Sequence, residues 1–458
     1  MQENIPSEIL ISFLNAKDGK GLREYCAEYH PAVIADAMLD LDESQSIGLL
    51  KLLGTEESAS VFCNFDVSYQ IKLAETFDRK FLAGLIAEMS SDDRVDLIKK
   101  IPDEYREALM PALAHAERED IRRLSSYTEE TCGSVMTSEY VTLSQYLTAS
   151  EAIAKLQREA PDKETIYVSY VVDKQRKIEG FVSLKDLIVA KPNQYVKDIM
   201  QTEVITVYVT DDQEEASKKI AKYGLLALPV VDANEALVGI VTYDDAIDII
   251  HEEHTEDLEK FMAIVNHNEE FGYLNTPVFT HFRNRGTWVF ILAFLGFVSG
   301  AIIHLFEGTL FSMMILALYM PMIADTGGNT GSQSATLVIR ALAMGEISFK
   351  DLPKIIFKEL KISILLGFTL GAVAFAKVIF LSQGTDTGNT SLLMIGAVIA
   401  IAVVLQVISS TVIGCVLPLI ASKLKQDPAV VASPAITTIV DISGLIIYFN
   451  IAKLMLGI

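Results

Sequence analysis

Hydrophobic and polar positions follow three successive rhythms along the chain. From Leu41 to Leu113 an apolar residue returns every 12 positions: Leu41, Leu53, Phe65, Phe77, Met89, Ile101 and Leu113. The residue after each of the first six is Asp, Gly, Ser or Pro, a residue type that caps or opens a helix, and the apolar residues between them fall at helical spacing. This pattern predicts a stack of short helices, since no single unit could bury its own apolar face. Two β-branched runs come next, TIYVSYVV and LLALPVV. Each turns through a charged loop into a second strand and then a helix. The last third carries five hydrophobic spans, at about Gly286 to Phe306, Thr309 to Ile339, Ile362 to Leu381, Ser391 to Ser422 and Ala429 to Ala452. Each is long enough to cross a bilayer, and the second and fourth exceed the roughly 20 residues required.

The β-branched segments repeat at an offset of 59 residues. Val171-Val172-Asp173 leads to Gly180-Phe-Val-Ser-Leu-Lys-Asp186, and Val230-Val231-Asp232 leads to Gly239-Ile-Val-Thr-Tyr-Asp-Asp245. The doubled pattern resembles a pair of cystathionine-β-synthase (CBS) domains, a regulatory module. The resemblance implies two roles for Ser183 with Asp186 and Thr242 with Asp245: contacts to the ribose of ATP or another adenosine nucleotide, or helix caps.

Charge separates the two halves. The 458-residue chain is half hydrophobic, yet its net charge is −22. From Asn284 onward eight acids face ten bases, so the acidity belongs to the soluble half. Such a surface excludes nucleic acid as a partner and recruits cations. Asp92, Asp93 and Asp96 form one dense patch, and Asp248, Glu252, Glu253, Glu256 and Asp257 crowd one helix. Like charges at i and i+4 destabilise a helix. A solvated acidic face or a shared divalent cation would each accommodate them. His251 and His254 read as surface residues, and the four cysteines lack CxxC spacing, so neither zinc nor a disulfide framework is expected. The opening MQENIPSEILISFLNAKDGK has no basic, apolar-cored leader.

Among the membrane spans, bases mark alternate connections. Arg283 and Arg285 precede the first; Arg340, Lys350, Lys354, Lys358 and Lys361 lie between the second and third; Lys423 and Lys425 lie between the fourth and fifth. The loops around Glu307 and Asp386 have none. The positive-inside rule then puts the soluble half in the cytoplasm and the C-terminus outside a multi-pass cell membrane, in contact with lipid. One acid, Asp441, lies 12 residues into the last span, about 18 Å along the helix and near mid-bilayer. An intramembrane acid there faces a water-lined path or bonds a neighbouring helix. The second span carries Gly327, Gly331 and Ala335 at packing spacing, with Asn329, Thr330, Ser332, Gln333 and Ser334 filling the same turns, too many polar groups for lipid.

PMIADTGGNTGSQSATLVIRALAMGEI and DPAVVASPAITTIVDISGLIIYF resemble the two signature helices of the MgtE family of magnesium channels and transporters. The order of domains is similar as well. The resemblance implies a multidomain membrane protein: an α-helical repeat N-terminal domain over 1–130, an α/β tandem CBS pair over 131–248, an acidic connecting helix and juxtamembrane segment over 249–282, and a five-helix all-α transmembrane domain over 283–458. It implies a homodimer with one pore at its interface, where Asp441 holds hydrated Mg2+ and Thr437, Ser433 and Asn329 face the same site. It further implies that cytoplasmic Mg2+ closes the pore by binding Asp245, Asp248, Glu253, Glu256, Asp257 and Asp427, together with Asp92 and Asp96. Mg2+ sheds water reluctantly and is bound through one or two carboxylates, which suits such a pore. An ion-coupled carrier of Mg2+, Co2+ or Mn2+ is the alternative. No nucleophile-base arrangement, P-loop or HExxH motif is present, so an enzyme is not expected. Asp325 fits no part of the pattern.

Overall fold

A computed structural model describes residues 5–264, 272–385, 387, 390–430 and 433–457. Residues 265–271 of the expected connecting segment, and Asp386, lie outside the described residues. The chain divides into two compact units, one holding the chain up to Glu253 together with Glu269–Leu274, the other holding His254–Asn268 and everything from Asn275.

In the first unit the predicted short helices are α1 (Ser7–Ala16), α2 (Gly19–Cys26), α3 (Pro31–Leu39), α4 (Glu43–Leu53), α5 (Thr55–Phe62), α6 (Val67–Thr76), α7 (Arg79–Glu88), α8 (Ser91–Lys100), α9 (Asp103–Leu109) and α10 (His115–Leu124). The 12-residue period works through its junctions. Asp42, Gly54, Asp66, Asp78, Ser90 and Pro102 are the N-caps of α4 to α9. Asp42 and Asp78 accept hydrogen bonds from Gln45 N and Phe81 N at 2.8 and 3.0 Å. Phe77, Met89 and Ile101 take an extended backbone that stops one helix before the next begins, and all three side chains are buried. One residue thus ends a helix and supplies the core.

The tandem module forms two three-stranded sheets. Strands β1 (Thr142–Leu143), β2 (Val168–Val172) and β3 (Ile178–Ser183) lie in that order, as do β4 (Val207–Tyr208), β5 (Ala227–Val231) and β6 (Leu237–Thr242). The antiparallel hairpins share one register, Val168 opposite Ser183 and Ala227 opposite Thr242. Helices α11 (Ala149–Glu159), α12 (Leu184–Val189) and α13 (Gln213–Tyr223) cover them. Tyr170 and Tyr140 join the sheets by donating to the carbonyls of Ala227 and Leu237, each at 3.1 Å. The strap after α10 pairs with β6 through Thr137 and Ile240, and its Cys132 and Met136 share one apolar core with the N-terminal helices and the second sheet. Helix α14 (Tyr243–Phe261) follows β6 and runs unbroken past the boundary expected at 248.

A short helix, α15 (Gly272–Asn275), comes next in the chain, and the second unit then holds α16 (Val278–Leu305), α17 (Glu307–Ser312), α18 (Met320–Ala343), α19 (Leu352–Leu381), α20 (Leu392–Lys423) and α21 (Ser433–Leu456). Among the described residues four helices are long and apolar enough to cross a membrane: α16, α19 with its preceding turn, α20 and α21. The expected single span from Thr309 to Ile339 is instead three elements, α17, a 3-10 turn over Met314–Tyr319, and α18. Met313 leaves the helical region at φ −145° and ψ 85°, and Pro321, which has no N–H, opens α18. The more polar α18 packs against α20 and α21, α19 lies along α20, and α16 touches α21. Gly331 and Gly414 bring α18 and α20 into backbone contact: a Cβ on Gly414 would lie 2.2 Å from the Gly331 carbonyl oxygen.

Candidate functional site

The intramembrane acid sits where α18 and α21 meet. Asp441 and Thr437 are one turn apart on α21 and both are half-buried, so the carboxylate is not sealed among apolar side chains. Gly328 of α18 makes room for them. A Cβ there would stand 2.9 Å from Thr437 Cγ2 and 3.8 Å from Asp441 Oδ1. Ser332 Oγ lies 3.3 Å from Thr437 Oγ1. Beside this contact, Asp325, Asn329, Gln333 and Thr336 are exposed along α18, while Gly327, Gly328, Thr330, Gly331, Ser334 and Ala335 are buried against neighbouring helices. Asp441 and Thr437 thus meet α18 at Gly328 and Ser332, Asn329 is exposed next to Gly328, and the side chain of Ser433 lies outside the described residues.

A second concentration of acids forms where the N-terminal helices meet the second sheet. Asp92 Oδ1, at the start of α8, is buried with no hydrogen-bond partner. Burial, then the nearby charge of Asp245, raises the Asp92 carboxyl well above the usual carboxylate range. Burial likewise raises Asp245 to about 6, with Asp244 and Asp93 adding to it against the hydrogen bonds from Thr242. Glu164 is raised to about 7 by lost hydration and by Asp245. Asp248 is exposed, as is Asp96, and lost hydration lifts the Asp248 pKa against the pull of His251. An orphaned carboxylate oxygen beside a second carboxylate suits a hard divalent cation. Among the described residues, however, no three acidic, His or Cys side chains converge at ligand distances. Of the other expected regulatory residues, Glu253 accepts from Gln213 Nε2 at 2.8 Å, and Asp257 is half-buried farther along α14.

Glu256 and Asp427 meet through a residue that the acid pattern did not single out. Lys260 Nζ lies 2.7 Å from Glu256 Oε1 and 3.1 Å from Asp427 Oδ2. Asp427 Oδ1 in turn accepts from Ala429 N at 2.8 Å, fixing the turn before α21. Burial would lower the Lys260 pKa, but its bonds to Glu256 and Asp427 outweigh this and raise it. The Glu256–Lys260 half is an i,i+4 pair readable from sequence. The other half joins positions too distant along the chain to be read that way.

The two residue pairs read as ribose contacts each bond within themselves, and Ser183 with Asp186 forms a capping box at the start of α12. Ser183 Oγ donates to Asp186 Oδ2 at 2.6 Å and accepts from Asp186 N at 3.1 Å. Thr242 Oγ1 touches Asp245 Oδ2 and lies 2.5 Å from Asp244 Oδ1, so one hydroxyl stands between two carboxylates.

Comparison with known proteins gives one answer along the chain. A family profile described as a divalent cation transporter matches residues 320–451, one for the MgtE intracellular N domain matches 29–130, and CBS domain profiles match 132–193 and 196–252. The magnesium transporter MgtE of Thermus thermophilus is 35% identical over 446 residues, 97% of each chain. That of Bacillus subtilis is 33% identical over 97% of this chain and 96% of its own. A crystal structure of the cytosolic domain of the Mg2+ channel MgtE in complex with ATP has 35% identity and a TM-score of 0.50, covering 53% of this chain and 99% of that one. The soluble part of a magnesium transporter gives 32% identity and a TM-score of 0.52 over 54% of this chain and 97% of its own. These relatives are named for transport, not for catalysis. With near full-length identity above 30% and all three kinds of domain in order, the chain belongs to the MgtE family of magnesium transporters.

Proposed function

We propose that this transporter is a Mg2+-selective channel whose pore forms between two copies of the chain, lined by α18 and α21, and is closed by cytoplasmic Mg2+. The observation that carries this reading is the exposed row Asp325, Asn329 and Gln333 beside half-buried Asp441. A polar row at membrane depth costs several kcal/mol if it faces lipid. A second copy related by a two-fold axis covers the row and sets two Asp441 carboxylates about one aqueous path, where a hydrated divalent ion offsets their repulsion. Asn329, Thr437 and Ser433 then contact the water shell of the ion.

In the cytoplasm, Asp92 with Asp245, and on the same reading Asp96, Asp248, Glu253, Glu256, Asp257 and Asp427, take the regulatory Mg2+. Binding the closed arrangement better makes the ion an inhibitor of its own entry. The placement of bases supports an orientation with the soluble half inside and the C-terminus outside. The divisions at 130, 248 and 282 belong to this proposal, as does an adenosine nucleotide on the second CBS motif, supported by the ATP-bound relative. The test is purified protein in planar bilayers. Mg2+ currents that fall as Mg2+ rises on the cytoplasmic side, and vanish in Asp441→Asn, are expected. Saturating flux without unitary currents would leave a carrier in place of the channel.

A further inference from the structure

Gln406 stands at the middle of α20, fully buried in the membrane half. Its Nε2 donates to the Val440 carbonyl at 2.9 Å, the peptide group directly before Asp441. Two glycines admit the amide: a Cβ on Gly327 of α18 would lie 2.2 Å from Nε2, and one on Gly444 of α21 would lie 2.5 Å from it. Three helices therefore meet at one side-chain amide. On the α18 side it touches Gly327, whose neighbour Gly328 faces Thr437 and Asp441. On the α21 side it holds the turn that carries Asp441.

The amide is costly where it stands. Its Oε1 is buried without a hydrogen-bond partner. A leucine or methionine of similar size would fill the space with no unsatisfied atom. The opposite amide orientation would set Oε1 against the Val440 carbonyl, two acceptors face to face, so the donating orientation is the one the site supports. A polar group kept at such a cost calls for a reason beyond packing.

We infer that Gln406 is a positioning residue for Mg2+ transport: by holding the Val440 carbonyl it sets the rotation of the Asp441 turn against Gly328, and so the affinity of the pore for Mg2+. This rests on the reading of Asp441 as the pore acid.

The test is Mg2+ influx into proteoliposomes holding the full-length protein, followed with an indicator dye over a range of external Mg2+. Gln406→Met, which keeps the volume and removes the donor, is expected to raise the half-saturating Mg2+ about tenfold, with the maximal rate within about twofold; tenfold corresponds to about 1.4 kcal/mol, the size of one net hydrogen bond. Gly444→Ala keeps the amide and displaces it, and is expected to shift the same parameter in the same direction. The double variant should add less than about twofold, because one hydrogen bond cannot be lost twice. A purely structural role would lower yield and melting temperature while the half-saturating concentration stayed put, and that outcome overturns the inference. If Gln406→Met fails to fold, an unchanged half-saturating concentration in Gly444→Ala overturns it instead. Asp441→Asn in the same assay separates the two ideas. Lost influx there with an unchanged Gln406→Met overturns the role of Gln406 alone, whereas unaltered influx in Asp441→Asn overturns both.

Discussion

Removing the Lys260 ammonium is the most direct probe of how the last turn of α14 is fastened. Lys260→Met keeps the stem and deletes two charge-assisted bonds, to Glu256 at 2.7 Å and to Asp427 at 3.1 Å. At an effective dielectric constant of about 20, each contact is worth about 5 kcal/mol of bare attraction, most of it cancelled by lost hydration. All three side chains are about one-third exposed, at 33, 31 and 34%. Exposed pairs yield about 0–1 kcal/mol and buried charged bonds about 1.5–3, so each contact here stabilises by about 1 kcal/mol and the pair by about 2. That is about a 30-fold change in a local opening equilibrium. Hydrogen exchange reads it as faster exchange of the amides from Glu256 to Phe261 in Mg2+-free buffer. Added Mg2+ should restore much of the protection, because the substitution leaves two carboxylates facing each other. Exchange rates equal to those of the unaltered protein without Mg2+ would refute the reasoning.

Other outcomes follow from the same geometry. Asp245 and Glu164 titrate at about 6 and 7 in the folded protein, above their ordinary values, so their contribution to stability is full below those ordinary values and is lost as pH rises through the folded ones. In chelator, the melting temperature of the full-length protein should fall as pH climbs from about 4 to about 7, and Mg2+ should flatten the fall. Gly414→Ala forces a Cβ to 2.2 Å from the Gly331 carbonyl and should destabilise by about 1–3 kcal/mol or more in detergent melting curves; Gly296→Ala, with open space around it, should not. Asp325→Asn should weaken Mg2+ influx less than Asp441→Asn does, since Asp325 is exposed beside the site instead of inside it, and equal losses would place both acids on the ion.

The soluble half was legible because its signals are local. A residue such as Met89 ends one helix, precedes the cap of the next and fills the core, and all three tasks follow from neighbours in sequence. The CBS repeat was legible for the same reason: Ser183 and Thr242 occupy the same place in hairpins of one register. The second membrane span was not, since apolar composition continues through Met313 while the backbone does not. Pro321 was the signal that could have divided it. Asp441 announces itself as a lone acid, but Gln406 does not, because one amide in a long apolar helix gains meaning only when Gly327 and Gly444 are seen around it. Lys260 stands among acids in the sequence of α14, and its second partner, Asp427, lies in another part of the chain.

The backbone contact of Gly331 with Gly414 also bears on movement. Around that contact the Thr330 and Ser410 hydroxyls lie 2.6 Å apart and the Gln406 amide packs on Gly327, so little room is left for α18 and α20 to slide past each other. Movement beside Asp441 is then expected to fall on the segments that flank these helices, the 3-10 turns over Met314–Tyr319 and Pro428–Val430, and substitutions that stiffen them should slow transport without touching the ion.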